Sequence, residues 1–419
     1  MLKVYIETYG CTLNKGDTEI LLNILRSIGF IETNRIEEAE IIIINTCTVR
    51  KDTEEKILSR IEEISNAYPN KILVVAGCLA TSQPYTVKKI APKAFIITTY
   101  DPVAILKILQ PTIETRLNKT DLYTTTRGVI AIVPVADGCT GSCSFCITRI
   151  ARPKLISFPM DKILNEVKKS IAKGAREIQL TAQDLGAYGL DIYGRRALVE
   201  LIREIINIPG DFMLRIGMMN PEHIMYFLDE LIDVLKHPKV YKFVHIPLQS
   251  GDDRVLKIMN RKYTVDEYRY IVKYIRTKIP DVMIATDIIV GHPGEDEEAF
   301  ENTLNILREL EIERVHMAQY TPRPRTLSSA LPQIPPHIRK KRSIRLLRLI
   351  EEIGGKQHRK YIGSMIRALV IEKGSRNTLI ARSTSYYPIV VQGDLELGRW
   401  VTIRITDATY YDLKGVIIN

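Results

Sequence analysis

The sequence lacks any apolar run long enough to cross a membrane. Its longest runs, such as Ile41 to Ile44, are far shorter than the ~18 residues that a spanning helix needs. The first residues, from Met1 to Tyr5, alternate like a strand, and no charged region followed by an apolar stretch is present there. There are no internal repeats either. We therefore expect a cytoplasmic globular protein with no membrane partner, and its 419 residues predict two or three domains.

Acidic residues are the minority among the charged ones. The chain has 59 Lys and Arg against 49 Asp and Glu, a net charge of +10, and such an excess favours a polyanionic partner. Much of it lies between residues 337 and 361, where we predict a basic helix. We expect phosphate contacts from four residues of this helix: Arg339, Lys340, Arg342 and Arg345. The alternative is a solvated helix face that only maintains solubility.

The pattern of short apolar runs and helical segments predicts an α/β protein of three structured units. The first hundred residues alternate strands and helices, which is typical of a doubly wound, flavodoxin-like parallel sheet. Six further strand and helix units predict a partial (β/α)6 barrel, with its site at the carboxyl ends of the strands. Five short strands near the end predict a small all-β, OB-like barrel of a kind often used for nucleic acid. The predicted divisions are 1–111, a linker 112–128, 129–336, the basic helix 337–361, and 362–419.

Cysteine is scarce, and its placement is informative. The chain has six cysteines, and we do not expect disulfides, because a large cytoplasmic protein has enough core without them and lies in a reducing compartment. Cys139, Cys143 and Cys146 follow a predicted strand with the spacing C-x3-C-x2-C. Three thiolates on one loop can hold one face of an iron–sulfur cube, whereas structural zinc normally takes four protein ligands. One iron would remain open for substrate or cofactor.

This loop resembles the signature of radical S-adenosylmethionine (SAM) enzymes. In that family the amino and carboxylate groups of SAM bind the open iron, and electron transfer cleaves SAM to a 5′-deoxyadenosyl radical. Candidate SAM contacts are Phe145 in the loop, together with four residues at the ends of predicted strands: Gln183, Arg215, His245 and Gln249. Ordinary core packing is the alternative for Phe145, and a purely structural polar role is the alternative for the other four.

The remaining cysteines, Cys11, Cys47 and Cys78, are separated by about one strand and helix unit each. Each follows the carboxyl end of its own predicted parallel strand, so the three should meet at one edge of the sheet. A second cluster with three thiolate ligands is the natural interpretation. Three unrelated buried thiols are the alternative.

The combination resembles the methylthiotransferases, and the resemblance runs through the whole chain. It is carried by Tyr9-Gly10-Cys11, Asn45-Thr46-Cys47, the radical SAM loop, His245-Ile246-Pro247-Leu248-Gln249 and Met259-Asn260-Arg261. The family's terminal domain, called TRAM, contacts RNA. The resemblance implies two [4Fe-4S] clusters, with the cluster at Cys11, Cys47 and Cys78 holding the sulfur that SAM methylates.

The implied reaction adds a methylthio group to an unactivated carbon. Gly217-Met218-Met219-Asn220-Pro221 most resembles the archaeal and eukaryotic branch, which implies C2 of N6-threonylcarbamoyladenosine at position 37 of tRNA. Expected partners are the tRNA anticodon stem-loop, an electron donor and a sulfur source. Three alternatives stay open: isopentenyladenosine 37 as substrate, an aspartate of a ribosomal protein, or a non-catalytic iron–sulfur protein that binds RNA or carries electrons.

Overall fold

The computed structural model describes residues 2–109 and 126–418, which form three units joined by extensive contacts. Of the predicted linker 112–128, residues 112–125 lie outside these ranges. The predicted fold class is confirmed: a parallel-sheet unit, a partial β/α barrel and a small closed β-barrel follow one another along the chain. No helix in the described ranges combines the length and apolar character that a membrane crossing requires.

The N-terminal unit is a five-stranded sheet in which every neighbouring pair is parallel. Its elements are β1 (Leu2–Thr8), α1 (Thr12–Ser27), β2 (Phe30–Glu32), β3 (Ile41–Thr46), α2 (Lys51–Ala67), β4 (Ile72–Gly77), α3 (Cys78–Ser82), α4 (Pro84–Ile90), β5 (Phe95–Ile97) and α5 (Ala104–Leu109). The strand order is β2-β1-β3-β4-β5, a flavodoxin-like order, as expected for the doubly wound, flavodoxin-like sheet that we predicted. Residues 41–46 are all buried because helices cover both faces of the sheet.

The middle unit alternates strands with helices. Its elements are β6 (Thr126–Arg127), β7 (Ile130–Pro134), β8 (Ala136–Asp137), α6 (Thr148–Ala151), β9 (Ile156–Ser157), α7 (Met160–Ala172), β10 (Glu177–Thr181), α8 (Leu198–Ile206), β11 (Met213–Arg215), α9 (Pro221–Ile224), α10 (Leu228–Leu235), β12 (Phe243–His245), α11 (Asp253–Ile258), α12 (Val265–Lys278), β13 (Met283–Val290), α13 (Glu297–Leu310) and β14 (Arg314–Gln319). Parallel bridges at Leu214–Val240 and Met218–His245 join the sheet β11-β10-β7-β6 to the sheet β12-β13-β14. Within the described residues the first and last strands of the predicted barrel, β7 and β14, are not paired, so the barrel is open on that side.

Side chains alternate between the helical layer and the barrel lumen. On β10, Ile178 and Leu180 belong to the core that packs under the helices, so Glu177 and Gln179 point the other way. Gln179 is in register with Arg215 on β11, which places the Arg215 side chain on the same, inner face. The lumen is therefore lined by polar side chains while its outer wall is apolar.

A long helix, α14 (Pro336–Arg359), leads to the terminal barrel. That barrel consists of β15 (Met365–Lys373), β16 (Thr378–Ser383), β17 (Pro388–Gln392), β18 (Trp400–Ala408) and β19 (Leu413–Ile417), closed in the order β15-β16-β17-β19-β18. Five buried residues of the β/α barrel share one apolar core with this unit: Met213, Tyr241, Phe243, Met283 and Ala285. The terminal barrel therefore covers the amino ends of β11, β12 and β13.

Candidate active site

The C-x3-C-x2-C loop lies at the carboxyl end of the β/α barrel, after the short strand β8. If Gly141 carried a Cβ, that atom would lie 3.4 Å from Sγ of Cys139 and 3.8 Å from Sγ of Cys143, so both sulfurs face the same point of the loop. Burial, followed by the charge of Cys146, raises the pKa of Cys139 to about 12. The three thiols are thus within electrostatic range of one another.

A turn that precedes α12 holds this loop in place. The Arg261 guanidinium donates from Nη1 to Sγ of Cys143 at 3.1 Å. The side-chain amide of Asn260 donates to the backbone oxygen and the hydroxyl of Ser142 at 2.9 and 2.7 Å. Asn260 adopts a left-handed backbone with φ of 58°, which asparagine tolerates better than most residues. The sequence motif Met259-Asn260-Arg261 indicates the family, but it does not predict that Asn260 and Arg261 hold the cysteine loop.

Replacing Gly138 by alanine is expected to destabilise the loop. Gly138 has φ of +72°, and a Cβ there would overlap the backbone oxygen of Lys154. Gly174→Ala is the matched control, because Gly174 has φ of +95° but nothing within 4 Å of an added Cβ. The control isolates the cost of a left-handed residue, about 1–2 kcal/mol. In urea unfolding Gly138→Ala should lose clearly more stability than the control, and equal losses would contradict the close approach.

The other three cysteines meet at one edge of the N-terminal sheet. Cys11, Cys47 and Cys78 follow β1, β3 and β4, which are adjacent strands. Gly10 has φ of +112°, and a Cβ there would lie 3.0 Å from Sγ of Cys47. Burial, with smaller contributions from the charges of Cys11 and Cys47, raises the pKa of Cys78 to about 11. The structure therefore brings together the set that strand spacing predicted.

Both cysteine sets fit iron–sulfur clusters. All six thiols are free, and burial raises the pKa of four of them: Cys47, Cys78, Cys139 and Cys146. Buried thiols of this kind become thiolates only when a bound cation stabilises the negative charge. Two buried side-chain oxygens lack a hydrogen-bond partner, Oδ1 of Asn45, two residues before Cys47, and Oε1 of Gln183, which follows β10.

A buried arginine connects the two cysteine sets. The side chain of Arg152 is 1% exposed and forms ion pairs with Asp17 on α1 and with Asp137, two residues before Cys139. It also lies 3.4 Å from Oδ1 of Asn14, and its charge counteracts the raised pKa of Cys78. Arg152 therefore ties the radical SAM loop to the neighbourhood of the second triplet.

A second buried arginine joins the same two units near Cys47. Arg323, which follows β14, forms an ion pair with Glu54 on α2 and donates to the hydroxyl of Thr48 at 2.8 Å. The side-chain amide of Gln83 donates to the same Glu54 carboxylate at 2.9 Å. The two arginines hold the N-terminal unit on the barrel at two points that flank the second triplet.

The candidate SAM contacts do not form one group. Phe145 packs edge-on against His292, at 6.0 Å between ring centres, and against a small apolar cluster that includes Met259. Core packing therefore accounts for its contacts. Gln183 remains the stronger candidate, since its buried oxygen has no partner. Gln249 adopts a left-handed backbone with φ of 67° between β12 and α11, which is typical of strained residues at functional sites.

His245 belongs to a lumen cluster that the sequence did not predict. Its Nε2 lies 3.1 Å from Oδ2 of Asp287, and Nδ1 of His316 lies 3.2 Å from Oδ1 of the same carboxylate. Burial would raise the pKa of Asp287, but hydrogen bonds from the two imidazoles lower it below its usual range. The carboxylate therefore stays ionised between β12 and β14.

Arg215 lies away from the cysteine loop. Its guanidinium carbon is 5.5 Å from the ring centre of Phe243 and 5.8 Å from that of Tyr386, which belongs to the terminal barrel. Phe243 and Tyr386 both belong to the apolar core that the terminal barrel shares with the amino ends of the strands. The Arg215 side chain therefore points to this end of the lumen, which we call its floor. The geometry does not favour the SAM contact that we expected for Arg215.

The basic helix also differs from the expectation. The Arg342 side chain is 7% exposed and pairs with Glu295, and Arg345 pairs with Glu297 and Glu301 of α13. Arg339 donates from Nη1 to the backbone oxygen of Tyr320. These arginines attach α14 to the barrel, so the geometry does not favour Arg342 as a phosphate contact. Lys340 is the exposed member of the predicted set.

Comparisons with known proteins assign each unit to a family. Residues 3–98 match the family described as "Uncharacterized protein family UPF0004". Residues 133–307 match the radical SAM superfamily, and residues 359–418 match the TRAM domain. The three matches fall on the parallel sheet, the open barrel and the closed barrel respectively.

A likeness to solved structures supports the fold. The radical SAM methyltransferase TsrM from Kitasatospora setae, with cobalamin and a [4Fe-4S] cluster bound, matches with a TM-score of 0.61 at 12% identity over 78% of this chain and 74% of that chain. The cobalamin-dependent radical SAM enzyme OxsB matches with a TM-score of 0.52 at 11% identity over 84% of this chain and 56% of that chain. At such identities the likeness shows the fold alone.

Relatives match along the whole chain. A probable threonylcarbamoyladenosine tRNA methylthiotransferase of Methanocaldococcus jannaschii is 42% identical over 100% of this chain and 97% of its own length. One of Methanothermobacter thermautotrophicus is 41% identical over 97% of this chain and 98% of its own. The human threonylcarbamoyladenosine tRNA methylthiotransferase is 31% identical over 99% of this chain and 73% of its own. This chain therefore belongs to the threonylcarbamoyladenosine tRNA methylthiotransferase family, whose members are radical SAM sulfur-group transferases.

Proposed function

We propose that the protein adds a methylthio group to C2 of N6-threonylcarbamoyladenosine at position 37 of tRNA. It would use two [4Fe-4S] clusters, with SAM as both methyl donor and radical source. The observation that carries this proposal is the pair of three-cysteine sets, one at the carboxyl ends of three parallel strands and the other on the loop after β8, linked through Arg152. The names of the relatives supply the substrate.

The proposed division of labour follows from the position of each set. When bound, the cluster on Cys139, Cys143 and Cys146 supplies the electron that cleaves SAM, and the cluster on Cys11, Cys47 and Cys78 holds the sulfur to be methylated. The side chains around them position these groups. Arg261 donates to the sulfur of Cys143, and Arg152 and Arg323 fix the N-terminal unit on the barrel. An electron donor and a sulfur source are required partners.

The base must reach the barrel lumen to react. Adenosine 37 lies in the single-stranded anticodon loop, where unstacking a base costs least. We propose that the anticodon stem-loop docks on the β/α barrel with help from the terminal barrel, and that the unstacked base enters the lumen.

Incubating the reconstituted protein with SAM, a reductant, a sulfide source and tRNA that carries threonylcarbamoyladenosine tests this proposal. Mass spectrometry of the digested nucleosides should show the methylthio product. Parallel incubations with isopentenyladenosine tRNA and with ribosomal protein should show none. Product from either of those substrates alone would overturn the substrate assignment, and release of 5′-deoxyadenosine without any product would leave only the radical SAM activity.

Neutralising Lys340 and Lys341 together is expected to weaken tRNA binding without changing which tRNA is preferred, because phosphate contacts position but do not specify. Both residues are exposed on α14. The slope of log K against log salt should fall by roughly 0.7–0.9 for each phosphate that is no longer neutralised. Arg345→Gln is the control, since its guanidinium is already paired with Glu297 and Glu301. An unchanged slope for the lysine variant would exclude α14 from the RNA interface.

A further inference from the structure

We infer that Arg215 and Arg382 form an anion pocket on the floor of the barrel lumen, and that it receives the carboxylate of the N6 side chain on the substrate base. The inference rests on the proposed function and names the residues that select this substrate. Arg215 comes from the β/α barrel and Arg382 from β16 of the terminal barrel. The pocket exists only because the two units pack together.

The two guanidinium groups converge on one aromatic ring. The guanidinium carbon of Arg382 lies 4.5 Å from the ring centre of Tyr386, and that of Arg215 lies 5.8 Å from the same point. The ring itself packs against Tyr241 at 4.9 Å and Phe243 at 4.7 Å between ring centres. Three aromatic rings and two guanidinium groups therefore lie close together, and such a site can enclose a carboxylate.

The turn that carries Tyr386 is shaped to enter this floor. Tyr386 has φ of 68°, a left-handed backbone that is unusual for a bulky residue and persists only where the surroundings impose it. The backbone oxygen of Thr384 accepts a hydrogen bond from the backbone N–H of Lys242 at 2.9 Å. The terminal barrel is thereby fastened to the start of β12, beside the pocket.

Both arginines lack polar partners. Neither makes a hydrogen bond or an ion pair with any residue in the described ranges, and Nε of each is buried without an acceptor. An unsatisfied buried donor destabilises a protein, and more so when it carries a charge. Because buried donors normally have an acceptor, the two unsatisfied Nε groups beside the ring of Tyr386 indicate a missing anion.

The carboxylates nearby are already occupied. Glu177 accepts from the hydroxyl of Tyr241 at 2.8 Å and from the side-chain amide of Gln179 at 2.5 Å. Asp287 is held between His245 and His316. A third guanidinium is near, since burial lowers the pKa of Arg314 and the charge of Arg382 lowers it further. Glu177 is the carboxylate whose charge reaches Arg382, and the three guanidinium groups outnumber it.

The shape of the modified base agrees with a pocket on the lumen floor, away from the cysteine loop. C2 and C6 both flank N1 on the same edge of adenine, but their exocyclic bonds diverge, so a base that presents C2 toward the cysteine loop directs its N6 substituent obliquely away from that loop. The threonylcarbamoyl substituent ends in a carboxylate, which arginine binds through charge-assisted hydrogen bonds. An isopentenyl substituent would leave both guanidinium groups buried and unpaired, and such sites reject ligands that lack the matching polar group.

A binding experiment with the unmodified protein tests the pocket without relying on activity. The probe is the nucleoside N6-threonylcarbamoyladenosine, compared with its methyl ester and with adenosine by isothermal titration calorimetry on the cluster-free full-length chain. The acid should bind about 100-fold more tightly than the ester, as two hydrogen bonds to a charged group imply. Equal affinities for acid and ester would overturn the inference, whether or not any variant folds.

Variants then assign the effect to these residues. Arg215→Gln and Arg382→Gln should each abolish most of the difference between acid and ester, whereas Arg215→Lys should retain part of it. Arg404→Gln, at an exposed arginine on β18 of the same barrel, is the matched control and should keep the wild-type difference. A difference that persists in both Gln variants would place the carboxylate elsewhere.

The outcome separates this inference from the proposed function. If the wild-type protein forms no methylthio product on threonylcarbamoyladenosine tRNA, the proposed function fails. If it forms the product and both Gln variants do so with unchanged KM, only the pocket assignment fails.

Discussion

Replacing Cys139, Cys143 and Cys146 together by alanine is expected to leave roughly half of the iron and to abolish SAM cleavage. The three thiols form one set at the end of the β/α barrel, and the other three lie across Arg152 in the N-terminal unit. Each set therefore should hold its cluster independently. Iron and sulfide content, together with 5′-deoxyadenosine release, measure the result. Full iron content in this variant would contradict the assignment of a cluster to these residues.

The reciprocal variant is the control for the first. Replacing Cys11, Cys47 and Cys78 by alanine should also leave roughly half of the iron but preserve SAM cleavage, while the methylthio product disappears. If SAM cleavage stopped although the other cluster remained intact, the two sets could not be assigned separate roles.

Replacing Arg152 by glutamine is expected to have the largest effect on stability. The guanidinium is buried between two carboxylates, and breaking a buried ion pair by removing one partner costs about 3–5 kcal/mol. Urea unfolding should show that loss, and it should begin with separation of the N-terminal unit, because Arg152 links that unit to the barrel. Arg149→Gln is the matched control, since Arg149 is exposed on the same short helix.

A second measurement distinguishes anchoring from a general loss of fold. Limited proteolysis of Arg152→Gln should release the N-terminal unit faster while the β/α barrel stays protected. An unfolding midpoint equal to that of the control would show that Arg152 does not anchor the two units.

Much of the fold followed from local patterns in the sequence. The buried run at 41–46 and the turn glycines around the terminal strands indicated the elements directly. The short strand β2 was not predicted, because three residues at a sheet edge carry no periodicity. The cysteine sets were predictable since parallel strands bring their carboxyl ends to one edge.

The partners of the arginines could not be predicted. Arg342 and Arg345 lie within a run of basic residues that resembles a phosphate-binding face, but their acidic partners are about 45 residues earlier on and beside α13. The orientation of the Arg215 side chain could not be predicted either, because it depends on the terminal barrel that covers the lumen floor. Contacts between distant segments decide both cases, and no local pattern encodes them.

The shared core of the two barrels limits how this architecture can evolve. Met213, Tyr241, Phe243 and Met283 lie in the same apolar cluster as the interior of the terminal unit. A chain without that unit would expose these side chains to water and present an aggregation-prone surface. Conversely, a β/α barrel that gained the terminal unit would need this apolar patch to be present already. The terminal unit is therefore not a domain that can be added or removed independently of the β/α barrel.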